Sequence, residues 1–231
     1  YLRLVTTTRD YESWEQSCGL YIFDEELNMV GHIDELAKGE SIKSSRFLGN
    51  MVYFVTFRNT DPLFAVDASN PENPVIVNEV KLPGFSEYLH PYGDGLLFGL
   101  GYEADESDGK LRNVKMSMFD ISNPADIVEV DREQLEAFYS GAMYEHRAML
   151  VNPKRNLIGF AVEENVIEKD GAGANVYGRL AQTYRLYSYD ENEGFVQHIE
   201  CVLDLYSYDY PRANYIGDYL YIFDGARSVY T

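Results

Sequence analysis

Two of the four histidines in this 231-residue chain stand in the same local setting, Tyr88-Leu89-His90 and Tyr144-Glu145-His146. Imidazole titrates near neutrality and is the commonest metal ligand, so His90 and His146 brought together beside an acid would hold a divalent metal or anchor a polar ligand. The plainer role for such a pair is hydrogen bonding that ties neighbouring structural units together. Arg58 and Asp61 flank a short loop, where an ion pair closing the loop competes with a role in binding. Trp14, the single tryptophan, lies among Tyr11, Glu12 and Glu15. That setting suits a stacking contact for a sugar or peptide, or a loop anchored by its own indole.

Signatures of catalysis are missing. The chain has no GxSxG nucleophile turn and no HExxH metal pair. Two carboxylates can hydrolyse a glycosidic bond only at a fixed separation in a cleft, and among 38 acidic residues any chosen pair carries little meaning. Glu103 to Gly109 has calcium-loop composition but lacks the closing Glu, and Gly171 to Asn175 lacks the Lys of a phosphate loop. Cys18 and Cys201 have no CxxC spacing and read as two isolated thiols.

Charge narrows the partners. With 19 Lys and Arg against 38 Asp and Glu, a net charge of −19, the chain would repel phosphate backbones and anionic bilayers, which makes nucleic acid the least expected partner. No uncharged apolar run approaches the roughly 18 residues of a spanning helix, so no membrane span is expected. The 45% hydrophobic content supports a core, and a chain of this size buries roughly 70% of its unfolded surface without needing disulfides or metals. The chain opens on Tyr1 without an initiator Met or an apolar signal core, which suggests a processed piece of a longer protein.

The elements that must position these side chains are strands. Hydrophobic periodicity is 2 almost throughout, in short runs rich in Val, Ile, Tyr and Phe. The runs repeat. Arg46-Phe47-Leu48-Gly49-Asn50-Met51-Val52-Tyr53-Phe54-Val55 lies position for position on Asn214-Tyr215-Ile216-Gly217-Asp218-Tyr219-Leu220-Tyr221-Ile222-Phe223. Each copy reads as strand, two-residue turn, strand, with Gly supplying the positive φ. His90 to Phe98 and His146 to Phe160 fit the same frame. A second recurring run ends at Asp24, Asp67, Asp120 and Asp190, where the Asp side chain can accept from the backbone two residues on and close a turn.

One unit is therefore a four-stranded antiparallel meander, A to D, of about 40 to 50 residues, the size of a propeller blade. The expected fold is an all-β β-propeller, an arc of four-stranded antiparallel blades that forms a fragment of a larger propeller. The blades are expected at 1–38 (partial), 39–84, 85–135, 136–205 and 206–231 (partial). The longer B–C loops and the D-to-A crossings are expected on one face of the propeller, and loops gathered on one face are where binding commonly resides. The innermost strands are expected to start there, at Ser44-Ser45-Arg46, Tyr88-Leu89-His90, Tyr144-Glu145-His146 and Arg212-Ala213-Asn214. The expected ligand-contacting set is Trp14, Arg46, Arg58, Asp61, Tyr88, His90, Tyr144, His146 and Asn214.

The runs Arg46 to Arg58, Asp61 to Asp67 and Pro83-Gly84-Phe85-Ser86-Glu87-Tyr88-Leu89-His90-Pro91-Tyr92 resemble the secreted bacterial and archaeal proteins with a C-terminal β-propeller distantly related to WD repeats. The Ser-Asn-Pro turns at 69–71 and 122–124 resemble LVIVD-type surface repeats. The resemblance implies a propeller, export from the cell or display on its surface, and no catalytic residues to carry over. The leading expectation is an extracellular or cell-surface module binding a protein, peptide or glycan on its loop-rich face, alongside the remaining blades of the full-length protein. The alternative is a hydrolase or lyase at a channel mouth, using a divalent metal on His90 and His146.

Overall fold

The computed structural model describes residues 1–57, 61–82, 84–105, 110–169, 175–203, 210–224 and 229–230. Strands β1 (Leu2–Arg9), β2 (Gln16–Phe23) and β3 (Met29–Leu36) form one sheet. Strands β4 (Ser41–Leu48), β5 (Met51–Phe57), β6 (Asp61–Asp67) and β7 (Val75–Leu82) form the next. A third contains β8 (Phe85–Pro91), β9 (Leu96–Ala104), β10 (Leu111–Asp120) and β11 (Val128–Gln134). The fourth contains β12 (Leu150–Asn152), β13 (Leu157–Lys169), β14 (Asn175–Asp190) and β15 (Gly194–Val202). The last contains β16 (Arg212–Ile216), β17 (Tyr219–Phe223) and β18 (Val229–Tyr230). Within every sheet each strand lies beside its chain neighbour, the meander of a propeller blade. No α-helix occurs among the described residues.

Local chemistry explains the turns. Leu48 pairs with Met51 and Ile216 with Tyr219, leaving Gly49-Asn50 and Gly217-Asp218 as two-residue loops. Gly49 has φ 58° and Gly217 φ 61°, the first position of a type II′ turn, whose twist matches that of the flanking strands. At the other recurrent turns Asp67, Asp120 and Asp190 each accept, through Oδ1, the backbone N–H two residues on, at 2.8, 2.9 and 2.8 Å. Those bonds satisfy amides that have just left the ladder.

Burial along the strands separates two patterns. Outer strand β11 alternates exposed and partly buried positions, while β5 and β9 are buried at nearly every residue. A middle strand is covered on both faces and so reads as a continuous apolar run rather than an alternating one.

The chain divides into two compact units, residues 1–112 with 117–130 and residues 113–116 with 131–231. The core of the first includes Leu20, Ile22, Val52, Phe54, Phe64 and Val66, with the Phe54 and Phe64 rings stacked at 4.9 Å. The core of the second includes Ala161, Tyr184, Leu203, Ala213 and Ile222.

Candidate functional site

The β1–β2 loop and the β3–β4 crossing meet in the first unit, where Gly39 N–H donates to the Gln16 carbonyl at 2.7 Å. Asp10 organises the loop: its Oδ1 accepts from Glu12 N–H at 2.9 Å, Ser13 N–H at 2.7 Å and the Ser13 hydroxyl at 2.9 Å. These donors, the Ser13 amide first, hold the Asp10 carboxyl below the usual carboxylate range. Trp14 N–H donates to the Asp10 carbonyl at 2.9 Å. The loop thus holds Trp14 at φ 61°, a left-handed conformation uncommon for so bulky a residue, with 68% of the side chain's residue surface exposed.

Trp14 lines an open cleft of about 450 Å³ together with Arg9, Glu15, Gln16, Lys38 and Gly39. Glu35 and Ala37 beside it are also left-handed, at φ 53° and 46°, and Lys38 pairs with Glu35 at 2.9 Å. Backbone strain of this kind is retained where the surroundings over-determine it, and it concentrates at ligand sites. An exposed indole with an amide, two cations and a carboxylate around it offers a stacking face and hydrogen-bonding groups to one ligand.

A second group occupies the inner strands β4 and β8. Each carries a register shift at one residue, Lys43 and Glu87, which stand at the same offset ahead of Gly49 and Gly93. The two pair at 3.1 Å, and Lys43 Nζ lies 4.9 Å from the Phe85 ring centroid and 5.7 Å from that of Phe57. The Ser44 hydroxyl donates to the Ser86 carbonyl at 2.8 Å. Further along, the Arg46 guanidinium stands 4.8 Å over the Tyr88 ring, and the Tyr88 hydroxyl is 2.7 Å from Nδ1 of His90. Burial, and then the Arg46 charge, hold the His90 imidazole below its ordinary value.

Arg46, Tyr88 and His90 are thus brought together, but not at the strand starts. β4 begins at Ser41 and β8 at Phe85, so Arg46 and His90 lie towards the hairpins. β8 opens on Phe85, which is 3% exposed and packs on Phe57 and Tyr102.

The equivalence of His90 and His146 is corrected in the same way. His90 lies inside β8, paired with Phe98, whereas β12 does not begin until Leu150, paired with Gly159. His146 instead opens a single 3-10 turn, His146–Ala148, with its side chain 79% exposed. Asn152 caps the further 3-10 turn Pro153–Arg155, and this longer hairpin displaced the alignment. The two histidines fall in different compact units, and among the described residues no group of three or more His, Cys, Asp or Glu could hold a metal ion.

Tyr144 is 55% exposed and stacks on Tyr139 at 5.9 Å, while Glu145 binds Arg147 through both carboxylate oxygens and is held at a pKa of about 2, the Arg147 side-chain bond contributing most. Asn214 lies exposed on β16 opposite Tyr221. Arg58 lies outside the described residues; Asp61 opens β6 opposite Leu82. Lys43, Glu87, Asp10 and Lys38 were not among the sequence candidates. The shared offset of Lys43 and Glu87 from a hairpin glycine was the signal that would have found that pair.

Comparison with known proteins gives the chain its relatives. The family described as "Beta propeller domain" matches residues 1–230. An uncharacterized protein of Methanocaldococcus jannaschii is 37% identical over 206 residues, which is 84% of this chain and 32% of that protein. An uncharacterized protein of Archaeoglobus fulgidus is 35% identical over 222 residues, 96% of this chain and 30% of that protein. The chain therefore spans about a third of the length of these relatives.

Proposed function

The chain belongs to the Beta propeller domain family, and from that premise we propose that it is an extracellular or cell-surface binding module that receives a protein, peptide or glycan ligand in the cleft lined by Trp14. The observation that carries this reading is the exposed indole held at φ 61° by the Asp10-centred loop. Burial would remove large aromatics from water, yet both aromatics of this loop stand in it, Tyr11 at 86% and Trp14 at 68% exposed, and Trp14 does so on a left-handed backbone. Preorganisation of this kind reduces the ordering cost of binding. The resemblance of residues 40–125 to exported propellers supports placement outside the cell.

The direct test is a panel of glycans, peptidoglycan fragments and peptides offered to the purified chain and to Trp14→Ala. The expected result is a ligand whose affinity falls at least tenfold, about 1.4 kcal/mol, in the variant. A ligand bound equally by both proteins would remove the Trp14 cleft from the account. Antibody labelling of intact cells tests the location, and labelling only after lysis would contradict it.

A further inference from the structure

Like Arg3 and Arg155, which donate to backbone carbonyls, Arg46 is a cation without an ion pair among the described residues of an acidic chain, and it lies beside the Tyr88–His90 pair. Its guanidinium is half-buried in a chain where acidic residues outnumber basic ones by 38 to 19. Its contacts are the Ser45 carbonyl, to which Nη1 donates at 2.7 Å, and the face of Tyr88 at 4.8 Å. One bond to a carbonyl uses one of five N–H donors and neutralises no charge. Tyr88, 7% exposed, fixes the geometry from the neighbouring strand: its ring lies nearly parallel to that of His90, 24° apart, and its hydroxyl engages Nδ1. That leaves Nε2 as the ring nitrogen of His90 without a partner among the described residues.

We propose that Arg46 and His90 form a second binding site, separate from the Trp14 cleft, that receives the carboxylate of a ligand. Arg46 supplies the charged fork. The site requires the tautomer in which the Tyr88 hydroxyl donates to Nδ1 and His90 carries its proton on Nε2, donating it as a neutral group. The pair therefore offers one positive charge and two kinds of donor, which matches a monoanion. A phosphate dianion would leave a net negative charge inside a protein already at −19, and a planar guanidinium suits the two oxygens of a carboxylate. A free carboxylate occurs both on a uronic acid and at a peptide C-terminus. The Arg46–Tyr88 stack gives the site its rigidity, because the cation over the ring restricts the arginine before the ligand arrives.

The test follows the imidazole resonances of the intact chain by NMR during titration with D-glucuronate, with N-acetyl-diglycine, with its C-terminal amide and with inorganic phosphate. The expected result is a saturable shift of the His90 signals by at least one of the two carboxylates, with Kd on the order of 1–10 mM for a single anchoring group. The amide should fail, and Arg46→Gln should weaken binding at least tenfold. Arg46→Lys, which keeps the charge but loses the fork, should recover only part of it. Trp14→Ala should leave these shifts unchanged, so failure here and failure of the cleft reading are distinguishable. Tighter binding of glucuronate or of the peptide assigns the source of the carboxylate. No saturable His90 shift, an equal response to the amide, or preference for phosphate over both carboxylates would overturn the proposal. Thermal melts of each variant show whether the strand pair is intact.

Discussion

The Tyr88 hydroxyl lies 2.7 Å from Nδ1 of His90, two residues on along β8, and the Arg46 guanidinium covers the tyrosine from the adjacent sheet. The three side chains bridge β4 and β8 without a carboxylate among them.

This arrangement makes stability depend on pH in a defined sense. Burial and Arg46 depress the folded-state value of His90, so between its ordinary value near 6.5 and the lower folded value the unfolded chain binds more protons. Its contribution is fully present above about pH 6.5 and is lost as pH falls towards the folded value. Urea midpoints measured from about pH 7.5 to 5.5 should fall more steeply for the native chain than for His90→Gln, which keeps a polar partner for Tyr88. Equal slopes would show that His90 is not the titrating group.

The Lys43–Glu87 pair is a bridge between β4 and β8 with side chains 25% and 12% exposed. Removing one partner strands a charge in a mostly desolvated place, whereas removing both leaves Phe57 and Phe85 free to close over the gap. Lys43→Met and Glu87→Leu should each destabilise by about 2–3 kcal/mol, and the double variant by clearly less than their sum, with a coupling of about 1–2 kcal/mol. Additive costs would place the pair at a wet surface.

Two glycines should respond differently to alanine. A Cβ on Gly101 would stand 1.7 Å from the Phe85 carbonyl oxygen, a backbone atom that cannot retreat without breaking the β8–β9 ladder. At Gly49 a Cβ meets nothing within 4 Å, and only the positive φ opposes it. Gly49→Ala should cost about 1–2 kcal/mol, and Gly101→Ala distinctly more, as measured by denaturant midpoints. Similar costs at both positions would contradict the close approach of β8 and β9.

What was legible in the sequence follows the range of the interactions. The Gly49 and Gly217 hairpins and the Asp67, Asp120 and Asp190 turns are set by neighbours in the chain, so a repeat of turn chemistry revealed the meander. The register shifts at Lys43 and Glu87 depend on contacts between adjacent sheets, which an alternating pattern does not encode. Arg46 and His90 were therefore expected at the strand starts but lie towards the hairpins. His146 was misaligned because the 3-10 turns around it replace a strand that the Tyr-x-His spacing imitated. Trp14 is visible as the single tryptophan, but Lys38 and Gly39 reach its cleft from a crossing that only the fold brings near.

Trp14 is the single tryptophan of the chain, so intrinsic fluorescence reports on the cleft without any label. The most direct measurement is tryptophan emission and acrylamide quenching during titration with whichever ligand the binding panel yields, beside calorimetry of the same mixture. A saturable blue shift and protection from quenching are expected, with the same Kd as the calorimetric one, because a ligand stacked on the 68%-exposed indole removes water from it. Calorimetric saturation with unchanged emission and unchanged quenching would contradict the claim that the ligand occupies the Trp14 cleft.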